Sequence, residues 1–561
     1  MGRPIPAPLS TQIMHSKGHL ILLLALWLQP GHLLAQWPDS NRLYAWHNAG
    51  FVQQEIRYHQ VLFLPNGQPN QASALQQLID TTPKPLMVLL GAGTYYMQQP
   101  ITLPDSVVLK GMGNTQTQWV FDGGGKALAA LIVQGQLLAG NRLFTQPALR
   151  GDTVLYLSNT SQIAAGSLLR LIQQDADLVN DSWAEGRTGQ VVQVDSVSGN
   201  TVYLHQPLRM HYPLNRQPYA RLLQPRRQVG IECLRVERTD NAPDSMGAAN
   251  LYFSYATQCW VSGVESFKCN RAHIEVNYSA HLQISHNYLH DAFSFGSGGR
   301  AYGVALQMAT SDVRVENNVF RKLRHAMLLQ AGANGNVLAY NYAYESRKAG
   351  LLGIITTGED LVCHGNYPYA NLLEANYVQF ASIDNAHGKN GPHNTFFRNA
   401  VYTTGFRITN PQSDSQTLVG NHRLAGSNSF SGSGHVVLHN SWQGNSAYTQ
   451  PFLAYTQPPV FLQEAPVPSI GPPAFNAATT IPARQRALEG KPIQAACEAI
   501  VWDGYKWQGN LYPSLLTGQY HLWINAGQPC QLNLPVTVQQ LTLTGNAELR
   551  IVPGGYLTIL Q

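Results

Sequence analysis

An asparagine recurs through the middle of this chain, at Asn287, Asn318, Asn341, Asn376, Asn399, Asn421 and Asn440, always in a similar local setting. The settings read ISHN-YL, VENN-VF, LAYN-YA, LEAN-YV, FFRN-AV, LVGN-HR and VLHN-SW, and their spacings are 31, 23, 35, 23, 22 and 19 residues. That is one short period carrying two insertions. A period in the twenties built from strand-like pieces predicts a solenoid, because a single unit cannot bury its apolar face without neighbours. Asn suits a bend between strands, since it tolerates the left-handed conformation and bonds its own backbone. Stacked amides can also pair from rung to rung. Cys233 and Ser266 are expected to fill the Asn place in the two rungs before Asn287.

Only 12% of the 561 residues are charged, Gly numbers 49, and β-formers are plentiful, which excludes a long helical protein. Arg3 and Lys17, the apolar run Leu20 to Leu28, and small or polar residues around Ala35 and Gln36 form the layout of a secretory signal peptide over 1–36. Its removal would take Arg3 and Lys17 from the formal net charge of +5, leaving about +3. No later segment reads as a membrane span. Export permits disulfides, with Cys497 and Cys530 able to close a loop, while Cys233, Cys259 and Cys269 sit in strand-like runs that suit buried thiols. No CxxC or His/Cys metal spacing occurs, so no zinc is inferred.

The chain divides by pattern into an N-terminal cap with the first rungs (37–147), a β-rich insertion (148–228), the main coil (229–450), a Pro-rich linker or strap (451–490) and a C-terminal β module (491–561). Ala72 to Asp80 reads as a short helix. In the insertion, GDTVLYLSN, GSLLRLIQQ and GQVVQVDSVSGNTVYLHQPL have the rhythm of hairpins. Its Asp175, Asp177, Asn180 and Asp181 could hold calcium, although a solvated acidic loop is the plainer reading. The strap is marked by Pro458, Pro459, Pro466, Pro468, Pro472 and Pro473, and the last module is turned at Gly545-Asn546 and at Pro553 to Gly555.

GAGTYYMQQPITLP (91–104) and the LKGMG turn at Leu109 to Gly113 resemble the opening of pectate-lyase-superfamily β-helices. HGNYPYANLLEAN, HGKNGPHNTFFRN and the RHAM run at Arg324 to Met327 belong to the same resemblance, which spans about 229–445. The tail resembles those of secreted Bacteroidetes-type proteins. The resemblance implies a right-handed parallel β-helix and a polysaccharide partner. It implies a reaction less specifically, because the compact aspartate cluster of pectate lyases and the paired aspartates of polygalacturonases are both missing.

Counting outward from each ladder Asn locates candidate site residues. Arg324 and Arg347 lie six residues after theirs, and Asp384 and Arg407 lie eight after theirs, so the four share parity and can project from one face. His290-Asp291, Arg324-His325, Arg347-Lys348 and Asp384-Asn385 each precede an Ala. Two long insertions, 293–303 and 350–369, interrupt the coil beside them, and such loops commonly wall a binding groove. The second carries Glu359, Asp360, His364, Tyr367 and Tyr369. DNAHGKNGPHN (384–394) adds His387, Lys389 and His393, histidine being a base suited to neutral pH.

The resulting expectation is a secreted, monomeric protein acting on polysaccharide, with no nucleic-acid partner. The basic excess on the predicted face favours a lyase that removes a proton beside a uronate carboxylate. Arg324 or Arg347 would bind the carboxylate, His325 or Lys348 take the proton, and Asp384 orient a base or hold a cation, with Ca2+ possible as cofactor. His387 completes the catalytic candidates. Arg407, His364, Tyr367, Lys389 and Asn385 are the substrate-binding candidates. A glycoside hydrolase would need two or three converging carboxylates, for which only Asp384, Asp291 and Glu345 are at hand. A noncatalytic glycan binder using Trp183, Trp260 or Trp442 is the remaining alternative.

Overall fold

The computed structural model describes residues 40–493 apart from 52–55, 57, 445–449, 451, 458, 460–467, 469 and 474–479, together with the backbone of short strands between Ala499 and Ile559. The expected signal peptide, Cys497, the side chain of Cys530 and the two C-terminal turns lie outside the described residues.

Each turn of the coil contributes three short strands. Arg314–Glu316, Val319–Arg321 and His325–Leu329 make one such turn, and they lie on what we term the first, second and third faces. Every pairing along these faces is parallel, and the first face alone stacks twelve strands. This is a parallel β-helix. Register places Ile231, Val261, Ile284, Val315, Leu338 and Leu373 in one column. All six are buried in the continuous apolar core. The helix Ala72–Thr81 covers the start of that core with Ala72, Leu75 and Ile79.

The asparagines stand at the corner between the first and second faces. Asn318 Nδ2 donates to Asn341 Oδ1 at 3.0 Å and to the carbonyl of Ile284 at 2.9 Å, and its backbone N–H donates to the same Oδ1 at 3.0 Å. The pattern repeats from Asn287 through Asn440, and all seven side chains are fully buried. The left-handed residue is the one before the Asn, not the Asn itself: His286, Asn317, Tyr340, Ala375, Arg398, Gly420 and His439 have φ between 53° and 68°. Most of these are types that adopt this region at a cost of about 1–2 kcal/mol. The buried amide bonds fix the corner despite that cost. In the two preceding rungs the place belongs to Val264 and Leu234, not to Ser266 and Cys233, because Glu265 pairs with Tyr288 and Arg235 with Glu265. Ser266 and Cys233 are displaced by two residues and one residue from the ladder column.

A second ladder, not foreseen, holds the corner between the third and first faces. Asn336, Asn371, Asn394 and Gln416 are linked side chain to side chain at 2.9 to 3.1 Å, and each follows a left-handed residue. Each sits five residues before a member of the first ladder, a constant offset visible in the sequence.

Between the third-face strand Leu131–Gln134 and the first-face strand Gly230–Glu232 the chain leaves the coil and builds an antiparallel sheet from Gln136 to Gln224 with its own apolar core. This insertion folds back along the third-to-first corner. Tyr369 Oη donates to the Gly189 carbonyl at 2.9 Å, and Val191 N–H to Ser311 Oγ at 3.1 Å. The Pro-rich region is a strap against the first face. Glu374 Oε2 accepts the N–H groups of Leu453 and Ala454, and Arg398 donates to the carbonyls of Gln450 and Pro468. The C-terminal strands pair mostly in parallel. Cys259, Cys269 and Cys363 are buried free thiols, whereas Cys233 is disulfide-bonded. No described helix is long and apolar enough to cross a membrane.

Asn341→Ala would strand the two donors of Asn318 and take an amide donor from both Asn376 Oδ1 and Val315 O in a buried corner. The expected loss is about 2–4 kcal/mol, read as a shift in the denaturant midpoint, and a variant unfolding like the parent would rule out an energetic role for the ladder.

Burial depresses His286 to about 4 and His273 to about 3, so both fold neutral. Between about pH 6.5 and pH 4 the unfolded chain binds protons that the folded one excludes, and these histidines therefore lower stability as pH falls. Asp360 and Glu374, each raised to about 7 by burial, act in the opposite direction over part of the same range. His286→Asn should flatten the fall on the acid side by up to about 1.4 kcal/mol per pH unit. Parallel stability–pH curves for parent and variant would contradict this.

Candidate functional site

The third face presents its outward residues between two borders. On one side, at the second-to-third corner, the two long insertions meet: Ala349 N–H donates to the Phe295 carbonyl at 2.9 Å, and the Arg347 guanidinium lies 5.9 Å from the Phe295 ring centre. Arg324 donates to the carbonyls of Gly296, at 3.1 Å, and Gly298. Lys348 Nζ pairs with Glu359 Oε1 at 2.9 Å across a small antiparallel hairpin. On the other side the insertion brings Asp181 and Trp183 against His387.

Between these borders, register sets Gln307, Gln330, His364 and Asp384 on successive rungs, each just outside an inward residue. Gln307 Nε2 donates to Gln330 Oε1, and Gln330 Nε2 to the His364 carbonyl, so the row is a connected polar line. It is buried at its start, with Gln307 1% and His364 3% exposed, and opens at His387, whose side chain is 34% exposed.

The imidazoles form a second line. The ring centres of Tyr302 and His325 are 5.4 Å apart, those of His325 and His364 5.0 Å, and those of His364 and His387 5.0 Å, the last pair being nearly perpendicular. His364 Nδ1 donates to Asp384 Oδ2 at 2.5 Å, and His387 Nδ1 donates to Asp181 Oδ2 at 2.7 Å. Facing acceptor-only carboxylates, both rings carry the proton on Nδ1 and leave Nε2 with a lone pair. A base oriented by a carboxylate is the arrangement general-base chemistry needs.

His325 has a different role from the one expected. Its Nδ1 donates to the Glu359 carbonyl at 2.9 Å, and burial, aided by the nearby Arg324 guanidinium, holds it far below the ordinary histidine range. It is a neutral, buried ring and a poor base. Arg324 and Lys348 are engaged in holding loops. Arg324 and Arg347 occupy equivalent corner positions, since Arg347 N–H bonds the Leu323 carbonyl. Asp384 and Arg407 do not share that corner. The 350–358 hairpin and a register shift near Val378 separate the two sets, and Arg407 pairs with Ser382 on the third face, over the Phe380 ring. Counting residues from the ladder could not detect a bulge.

Asn385 is exposed beside Asp384. Tyr367 packs against Tyr369 and the insertion, away from the histidine row. Lys389 lines a cavity of about 450 Å3 with Asp177, Asn180, Gln412 and Asp414, directly beyond His387. His393 is bonded to Tyr44 Oη and Arg150. The acidic residues of the insertion do not converge on a cation: Asp175 caps the N–H groups of Gly186 and Thr188, Asp177 pairs with Arg216, and Asp181 with His387. Of the tryptophans, Trp183 is 39% exposed at the site, Trp260 is buried on the first face, and Trp442 packs on Phe406 and Phe430. In the sequence Asp181 stands in a cluster that suits calcium or a solvated acidic loop, and nothing local links it to His387, 206 positions away.

No family model matches the chain, and no curated protein matches it. Among solved structures it is similar to the tailspike gp49 of Pseudomonas phage LKA1, at 14% identity and a TM-score of 0.48, over 87% of this chain and 74% of that one. The gp54 tailspike of Acinetobacter baumannii bacteriophage AP22, in complex with capsular saccharide, aligns at 14% identity and a TM-score of 0.36, covering 66% of this chain and 67% of that one. A glycoside hydrolase aligns at 10% identity and a TM-score of 0.31, covering 68% and 96%. The assignment of the β-helix itself rests on the parallel strand pairing.

Proposed function

We propose that this protein is an exported, carbohydrate-active β-helix that cleaves a uronate-containing polysaccharide by β-elimination, on a scaffold of the pectate-lyase type. The observation that carries this reading is the pair of carboxylate-held imidazoles, His364–Asp384 at 2.5 Å and His387–Asp181 at 2.7 Å, with ring centres 5.0 Å apart. His387, held by Asp181 and 34% exposed, takes the proton beside the uronate carboxylate on Nε2, with the buried His364 ring packed edge-on behind it. Solvent water protonates the leaving oxygen as the bond breaks, and the proton taken by His387 passes to the hydroxide so formed, which restores the base. The electron pair of the broken C–H bond forms the new C=C bond as the C–O bond opens, so no water is consumed. Arg407 on the adjoining rung and Lys389 beyond His387 are the cations available to the substrate carboxylate. Hydrolysis is less well supported, because Asp384, Asp181 and Glu359 each already pair with a base. The apolar run Leu20 to Leu28 supports export, so that the polymer would be met outside the cytoplasm.

Purified protein incubated with pectins, alginates and glycosaminoglycans should release unsaturated product, seen as new ultraviolet absorbance. Reducing ends without that absorbance would indicate hydrolysis, and neither signal on any polymer would leave glycan binding as the function.

His387→Ala should lower kcat by about 10²–10⁴-fold with little change in KM. Asp181→Asn should lower it less, by removing the carboxylate that sets the tautomer of His387. His325→Gln should leave catalysis within about tenfold of the parent, since a neutral buried ring takes no proton. A His387→Ala enzyme with parental kcat would exclude this residue as the base.

A further inference from the structure

A second cavity, of about 790 Å3, lies on the first face, on another side of the coil from the histidine row. Gln258 and Gln283 of the coil, Gln193 and Gln206 of the insertion, Phe51 of the N-terminal segment and Tyr455 of the strap contribute to its wall. Three chain segments remote in sequence thus close one space against the sheet.

The charged side chains there are already engaged. Arg314 donates to the carbonyls of Ala49 and Ala454, both at 3.0 Å, and pairs with Glu316 at 3.5 Å; Glu316 in turn accepts from Tyr455 Oη. Burial holds His47 and His281 below the usual histidine range, which keeps both neutral at neutral pH. The amides are different. Within the described residues no side-chain hydrogen bond engages Gln193, Gln258 or Gln283. Gln206 accepts from Arg209 at 2.9 Å through Oε1, yet its Nε2, in a side chain only 6% exposed, has no partner. Phe51, stacked on Trp260 with ring centres 5.9 Å apart, adds an aromatic surface.

A buried polar atom without a partner is costly, and a wall of amides offers donor and acceptor together. Sugar hydroxyls present that same paired pattern, and the C–H faces of a sugar ring suit an aromatic surface. With Arg314 and Glu316 engaged, recognition at this wall rests on its neutral amides. We propose that this cavity is a binding site for a short neutral oligosaccharide, held by the glutamine amides and by Phe51. The proposal stands apart from the elimination reaction, since the two sites share no residue.

The test is calorimetric titration of the full chain with cello-, xylo- and manno-oligosaccharides. One of these neutral series should bind, and Gln258→Ala and Gln283→Ala should each weaken it by about tenfold, the loss of one or two hydrogen bonds. His364→Ala should leave that binding unchanged, whatever it does to turnover. Because neither glutamine side chain hydrogen-bonds within the described residues, both variants should melt like the parent. Failure of all three series to bind, undiminished binding in both glutamine variants, or loss of binding in His364→Ala would overturn the proposal.

Discussion

The amide-to-amide hydrogen bond between successive rungs is the interaction on which this architecture depends. A parallel coil must reverse direction at each corner without exposing its core, and here the reversal is made by a left-handed residue followed by a buried side chain. Residues such as Tyr340, Ala375 and Arg398 do not choose that conformation readily. Each following Asn gives its two Nδ2 protons to a neighbouring Oδ1 and to a carbonyl, and takes a backbone N–H and an amide proton on its own Oδ1. Every valence is satisfied in a dry corner, so the turn is held by bonds that solvent cannot replace.

Two such columns, one at each end of the first face, align the strands of successive rungs. That alignment turns a short side-chain pattern into a long regular surface. The insertion, the N-terminal segment and the strap then distribute themselves over it. Arg314, Arg398 and Glu374 clamp the backbone of the strap onto the first face, while the insertion lies along the opposite edge. The insertion borders both the histidine row and the glutamine-lined cavity, so one module shapes two sites on different sides of the coil.

At the histidine row, chemistry is set by pairing more than by residue type. Three imidazoles of identical intrinsic basicity are given different roles by their partners. His325 bonds a carbonyl and is buried, which suppresses its charge, whereas His364 and His387 bond carboxylates. The basic residues that dominate the local sequence, Arg324 and Lys348, stabilise loops instead.

The coil and its period were legible in the sequence, because a repeated Asn with apolar flanks reports a geometry that recurs locally in every rung. A second column, five residues earlier, was equally legible in principle. The helix at Ala72–Thr81 and the strand-rich insertion followed from composition and turn residues. Local pattern also drew attention to His364, Asp384 and His387, but it could not assign their roles. That depended on a register shift near Val378, on the hairpin at Lys348–Thr356, and on the return of Asp181 across 206 residues. The sequence by itself determined the repeating corner and hence the solenoid, since those forces act within one rung and its neighbour. Only the tertiary structure decided which imidazole met which carboxylate, because that choice depends on how a distant module packs and not on the residues nearby.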